Sequence, residues 1–522
     1  MKKKPAVASE AGISQGLRRY MYWTAAFTGG AIMVIEILGA KLLAPYVGTS
    51  HFVWTAQISV TLLALAAGYY GGGWMVDRSP RLGQLYGGLW LASIYLCLTV
   101  LAVEPVAYWC LQFPLAMGSL LASSFLFFLP LSLLAMVAPF FVRFLAISVS
   151  GVGGTVGGLI AISTLGSVVG TILISYVLIP LLPNSVTMYL TAATLMLLAG
   201  GYLLVRQRTA VAILVIVSLV GLGLGYLGAR NKTRFANSVE IERINSPFGL
   251  LQVVYSKDGR ARFLLNDFLL QNVYDPIERK SRVLFTYMLH GLATGYTREI
   301  HEVLCIGMGI GIVPMEFVRD GAKVDAVEVN KAVVRLAEKH FDLATDRVRV
   351  TIAEGRYFVN RCTNRYDTVI LDAFLGDSSP SHLMTREAFQ EIHRILRPTG
   401  TLVINSFGDF RAGHDFLVAS LEKTLRAVFK SVRVHHDPFS ADFQNVFFVA
   451  SDQPQLQFIK SIEESRIHPT WRRDVLAGFA GVVQTNPNHG RILTDDYNPS
   501  EFYDATNREQ FRRKLVQLIS QL

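Results

Sequence analysis

Four features in the second half of the chain have types and spacing that could do chemistry together: the run Gly307-Met308-Gly309-Ile310-Gly311, then Glu328, Glu354-Gly355 and Asp372. Each stands at or just beyond the C-terminal end of a short apolar run of the kind that forms a buried parallel strand: 302–306, 323–329, 348–352 and 367–371. Glycines let a ligand approach the backbone closely, and the helix that follows offers unpaired N–H groups. Glu328, 17 residues beyond Gly311, stands where a carboxylate can accept hydrogen bonds from ribose hydroxyls. Singly, each acid has a plainer reading. Glu328 could be a solvated strand end, Glu354 a helix cap, and Asp372 the start of a turn. Ligands of open α/β sheets bind beyond the carboxyl ends of the strands, so four strand-end features in order point to one nucleoside-binding crevice.

The elements needed to hold them are legible around them. Helical sequence runs from the glycines to about Asp320, over 331–341 and over 385–396, and a fifth strand lies at 401–405. Upstream, residues 236–275 break into short β-like runs, among them Leu250 to Tyr255 and Ala261 to Leu265. Turn signals such as Ser246-Pro247-Phe248-Gly249 separate them. A small antiparallel sheet is expected there, followed by a helix over 276–296.

The first half is different in kind. Residues 1–235 carry 14 Lys/Arg against 4 Asp/Glu, a balance of +10, while the remainder carries 35 against 35. The basic character therefore belongs to loops flanking apolar segments and does not imply a nucleic-acid partner. A helix needs about 20 apolar residues to cross a bilayer. Seven candidates occur, at 22–45, 53–76, 83–103, 116–142, 155–182, 184–205 and 210–229. The first has no small-residue cleavage site and reads as a retained helix. Lys2-Lys3-Lys4, Arg18-Arg19, Arg78/Arg81, Arg143 and Arg206/Arg208 fall on one side, which should be cytoplasmic. Seven crossings would leave the second half outside, against the cytoplasmic origin of a nucleoside cosubstrate, and six or eight would leave it inside. Glu36 within the first span suggests function, or a pair with Lys41. Four scattered cysteines fit neither a disulfide framework nor a metal site, and no metal is expected.

The division is thus a cytoplasmic tail (1–20), a transmembrane domain (21–229), a β-rich segment with its helix (236–296) and an α/β domain (297–522). From 236 to 500 the chain resembles the spermidine synthases, the polyamine aminopropyltransferases. The resemblance is carried by Leu264-Leu265-Asn266-Asp267 through Gln271, the glycine loop, Val327-Glu328-Val329, Ala353-Glu354-Gly355-Arg356 and Leu371-Asp372-Ala373-Phe374. With Ile35-Glu36-Ile37-Leu38-Gly39 and Pro380-Ser381-His382-Leu383 it is similar to the membrane-fused branch. That implies an α-helical multi-pass membrane bundle, then a small β domain and a seven-stranded, methyltransferase-type Rossmann-like domain.

By this resemblance decarboxylated S-adenosylmethionine is the cosubstrate, with no permanently bound cofactor, and an amine such as putrescine is the acceptor. The resemblance implies a homodimer through the β-rich segment and a place in the cell's inner (plasma) membrane. It assigns Gln271, Gly307, Gly309, Gly311, Glu328, Glu354 and Gly355 to the nucleoside and makes Asp372 the proton acceptor. The amine half departs from the family. Ile310 stands where an acid is usual, Phe285 where a tyrosine is usual, and a second loop acid is displaced to Asp377. His382, Glu387, Asp495 and Asp496 are candidates to compensate. Methyl transfer from S-adenosylmethionine, or a non-catalytic polyamine or nucleoside sensor or transporter, would keep the same nucleoside half.

Overall fold

The computed structural model describes residues 13–48, 51–146, 152–206, 211–230, 235, 237–267, 269–374, 380–411, 413–437, 439 and 444–503. It falls into two compact units, Met1–Ala44 with Phe52–Lys232, and Pro45–His51 with Thr233–Leu522.

In the first unit six helices are long and apolar enough to cross a membrane: Gln15–Val47, His51–Arg78, Leu82–Cys110, Leu115–Leu145, Val152–Leu181 and Asn184–Val205. The seventh expected span is also helical, over Val211–Arg230, with a shorter described apolar stretch, Val215–Leu227. Trp23, Leu62, Tyr70 and Leu197 are exposed on the outside of these helices, a pattern suited to lipid and costly in water. Small residues set the helix contacts. A Cβ on Gly68 would lie 2.2 Å from the Ser132 carbonyl oxygen, and one on Gly29 would lie 2.3 Å from that of Ser163.

The fourth long helix contains a π-helical turn, Ser124–Phe128, just before Pro130. Proline has no N–H, so the carbonyls four and five residues earlier lose a donor. Side chains of the third helix replace it: the Tyr95 hydroxyl donates to the Phe125 carbonyl, and Thr99 Oγ1 donates to that of Leu126 at 3.3 Å. Among the described residues no ion pair joins Glu36 to Lys41.

The second unit opens with a five-stranded antiparallel sheet in chain order: β1 Ser238–Ser246, β2 Gly249–Ser256, β3 Arg262–Asn266, β4 Leu269–Asp275 and β5 Lys280–Ser281. The helix expected over 276–296 begins only at Leu284 and ends at Tyr296. The reason is local. Asp275 Oδ1 accepts the N–H groups of Ile277 (2.8 Å) and Glu278 (3.0 Å), which closes a turn and leads into β5.

An eight-stranded sheet follows, built from β6 Glu302–Ile306, β7 Lys323–Glu328, β8 Val348–Ile352, β9 Tyr366–Leu371, β10 Leu396–Gly408, β11 Ser431–His436, β12 Gln444–Ser451 and β13 Val482–Val483. Its order is β13-β11-β12-β10-β9-β6-β7-β8. Strands β10, β9, β6, β7 and β8 are parallel, while β12 runs antiparallel to β10 and β11. The seven strands expected are present, and the eighth is a two-residue edge. Apolar residues alternate in register with the pleat. Cys305, Val403 and Phe447 enter the core on one face, and Leu304, Ile404 and Phe448 enter the core on the other. A third cluster, with Leu251, Leu264, Ile310, Val333 and Leu336, joins the small sheet to the helix Lys331–His340.

Leucine at Gly68 should lower the melting temperature of detergent-purified protein, by an overpacking cost of about 1–3 kcal/mol. Leucine at Gly73, where a Cβ would meet no other part of the protein within 4 Å, should leave it nearly unchanged. Equal effects of the two substitutions would show that the glycine contact does not hold these helices.

Candidate active site

The chain reverses its direction across the large sheet between β6 and β9. After β6 it proceeds to β7 and β8, and it then returns to lay β9 on the other side of β6. Such a switch point opens a crevice at the carboxyl ends of the two strands. Two backbone bonds hold it. The Gly307 N–H donates to the Val327 carbonyl (2.9 Å), and the Asp372 N–H donates to that of Ile306 (2.9 Å). A Cβ on Gly307, where φ is +85°, would stand 2.2 Å from the Asp372 carbonyl oxygen, so only glycine fits this close approach.

A cavity of about 650 Å³ opens above the junction. It brings together Gln271, Phe285, Gly307, Gly309, Glu328, Glu354, Gly355, Asp372 and His382. Glu328 ends β7 almost fully buried and accepts the N–H groups of Asn330 (2.9 Å) and Met308 (3.3 Å). Burial raises its pKa, and these amides oppose the rise. Glu354 takes both readings open to it. It lines the cavity, and it caps the helix Gly355–Arg361 by accepting from the amides of Arg356 (3.0 Å) and Tyr357 (2.8 Å). His382 Nε2 lies 2.9 Å from its Oε1. Burial pulls the Glu354 carboxyl up, but these donors bring it below its ordinary value.

Asp372 follows β9 and faces the cavity. Burial pushes its carboxyl up to about 6, against a hydrogen bond from Asn405 Nδ2 (2.8 Å) and with reinforcement from the charge of Glu328. Such a group is largely ionised at neutral pH yet basic enough to take a proton from a reacting nitrogen.

Other candidates fall elsewhere. Gly311 does not line the cavity. It starts the helix Ile312–Arg319 at φ +85°, where a Cβ would meet the Leu343 side chain at 2.6 Å. Asp496 is exposed, and Asp495 binds Arg356 (3.0 Å) and Thr385 (2.6 Å) outside the cavity lining. Glu387 pairs with Arg386 and accepts the Asp495 N–H. Asp377 lies outside the described residues.

Ile310 is 1% exposed and packs into the cluster beneath the small sheet, so its side chain is structural. Among the described residues no group of three or more His, Cys, Asp or Glu is arranged to hold a metal. Sequence reasoning passed over Asn405, Asn445, Asp437 and Trp471, all of which line the cavity. Asn405 could have been found, since it ends the strand run 401–405 and the strand-end rule applies to it too. Trp471 lies 99 residues beyond Asp372, with no local signal.

Residues 283–457 match the family model described as the spermine/spermidine synthase domain. A polyamine aminopropyltransferase of Vibrio vulnificus is 26% identical over 243 residues, covering 43% of this chain and 77% of that protein. An N-terminal histidine N-methyltransferase of Emericella nidulans is 29% identical over 185 residues, covering 33% of this chain and 32% of that protein. Among solved structures, a probable spermidine synthase from Corynebacterium glutamicum aligns with 18% identity and a TM-score of 0.39, over 49% of this chain and 92% of its own.

Glu328→Gln should weaken binding of 5′-methylthioadenosine about tenfold or more, because a hydrogen bond to a charged group is worth about 1.5–3 kcal/mol. Titration calorimetry on the full chain checks this, and unchanged affinity would remove Glu328 from the ribose site.

Proposed function

We propose that this chain, whose residues 283–457 match the spermine/spermidine synthase domain, is a spermidine synthase-type aminopropyltransferase that uses decarboxylated S-adenosylmethionine and an amine. The observation that carries this reading is the placement of Asp372. A carboxylate whose basicity is raised by burial stands at the switch point, in the cavity that also holds Glu328 and Glu354. In the reaction the amine lone pair attacks the aminopropyl carbon next to the sulfonium. The C–N bond forms as the C–S bond breaks, and the bonding pair returns to sulfur to give 5′-methylthioadenosine. The nitrogen, now positively charged, gives its proton to Asp372. Glu328 holds the ribose, and Glu354 and Gly355 lie on the adenine side. Gln271 borders the cleft on the nucleoside side, Phe285 borders the amine path, and His382 orients Glu354. A diamine such as putrescine is the acceptor we would try first.

The six long apolar helices support insertion in the plasma membrane. Six crossings return the chain to the side of its N-terminal lysines, so the catalytic unit is assigned to the cytoplasm. A C-terminal reporter active only outside would overturn that assignment. A homodimer through the five-stranded sheet fits β1, where Val239 and Ile241 are exposed at the edge.

The match to an N-methyltransferase favours one second reading, methyl transfer through the same nucleoside half. Turnover of S-adenosylmethionine in place of its decarboxylated form would establish it.

Asp372→Asn should cut the release of 5′-methylthioadenosine by about 10²-fold or more, in line with the usual contribution of a general base, and leave its binding intact. In the unsubstituted protein the rate should fall as pH drops below about 6, as the acceptor is protonated. A D372N protein with full turnover would refute the assignment.

A further inference from the structure

Asp372 is held by a chain of two amides from neighbouring strands. Asn405 Nδ2 on β10 donates to Asp372 Oδ1 at 2.8 Å. Asn445 Nδ2 on β12 donates to Asn405 Oδ1 at 2.9 Å. Strands β10 and β12 pair antiparallel, with Phe407 opposite Asn445 and Asn405 opposite Phe447, so the two asparagines are diagonal neighbours. Asn405 is 2% exposed and Asn445 is half-buried, and both line the cavity.

The second bond matters because an amide can point either end at its neighbour. With its oxygen taken by Asn445, Asn405 can present only its N–H₂ to the carboxylate. Reversed, the Asn405 oxygen would face Asp372, acceptor against acceptor. The bond to Oδ1 therefore leaves Oδ2 as the oxygen available to a ligand in the cavity.

We infer that Asn405, oriented by Asn445, is the positioning residue of the site: it fixes the Asp372 carboxylate in place and keeps it ionised while its other oxygen meets the substrate nitrogen. This rests on the aminopropyl-transfer reading. The hydrogen bond works against two influences that favour the protonated acid, burial and the charge of Glu328. Among the described residues, the other titratable groups around Asp372 are Cys305 on β6, whose thiol burial pushes up, and Glu354, His382 and Asp437 on the cavity wall. None of these donates a hydrogen bond to the carboxylate.

The test is the pH profile of methylthioadenosine release from decarboxylated S-adenosylmethionine and putrescine, using the full chain in detergent. Asn405→Leu should move the acidic limb up by about one pH unit or more, the size expected from loss of a hydrogen bond to a charged group. It should lower kcat at pH 7 about tenfold, with the KM for the nucleoside within roughly twofold. Asn445→Leu should move the limb the same way by a smaller amount. A lower kcat with an unmoved limb would make Asn405 a merely structural residue and overturn the inference.

A second readout needs no turnover. The folded pKa of Asp372, about 6, lies above its ordinary 3.8. The protonated acid therefore stabilises the fold below that ordinary value, and this stability is lost as pH rises through the folded pKa. In a melting-temperature cycle of N405L and D372N, the coupling should change with pH between 4 and 8. Additive effects at every pH would refute the positioning role. Failure of the unsubstituted protein to turn over any amine would refute the transfer reading and leave this cycle to decide the inference.

Discussion

The approach of Gly307 to the Asp372 backbone is the contact on which the arrangement of the site depends. With no side chain at Gly307, the turn after β6 lies directly against the first residue after β9. The Ile306 carbonyl can then accept the Asp372 N–H. That bond extends the β6–β9 pairing to the rim of the sheet, and so Asp372 reaches the same crevice as Glu328, which ends the next strand over. A methyl group at Gly307 would push the two strand ends apart and separate the acids from the cavity they share.

The same crevice explains the electrostatics. Glu328 is buried and Asp372 half-buried, and the charge of Glu328 makes ionisation of Asp372 harder. Their surroundings resolve the conflict differently. Glu328 is surrounded by backbone N–H groups, which suit a permanent acceptor for a ligand's hydroxyls. Among the described residues Asp372 has one side-chain donor, Asn405, and its basicity stays near neutrality. The donors around them thus set two carboxylates of like chemistry apart, as the proposed binding and proton-accepting roles require. The small sheet closes the remaining side of the cavity through Gln271, and the buried Ile310 holds that sheet in place.

The helical unit is assembled on a different principle. Its helices are apolar all round, so their backbones meet where side chains are smallest, as at Gly29 and Gly68. Where Pro130 interrupts the ladder, Tyr95 and Thr99 supply the missing donors. The apolar lengths and the small residues are visible in the chain. The pairing of one helix with another is not, because apolar faces of similar composition are interchangeable until they are packed.

Strand boundaries, the glycine turn and the order of acids at strand ends are written locally. A buried parallel strand needs a continuous apolar run, and a turn with positive φ needs glycine, so β6 to β9 and the candidates Glu328, Glu354 and Asp372 could be read directly. The helix start at Leu284 could not, because the Asp275 side chain redirects the backbone into a turn that apolar spacing does not encode. Nor could the fate of Ile310 and Gly311, which sit in a ligand-type motif yet face the protein core. Residue types and periodicity along the chain determined which groups stand at strand ends. Only the tertiary structure decided that β10 and β12 would set Asn405 and Asn445 against Asp372, because hydrogen bonds between side chains 33 and 40 residues apart exist only once the sheet is assembled.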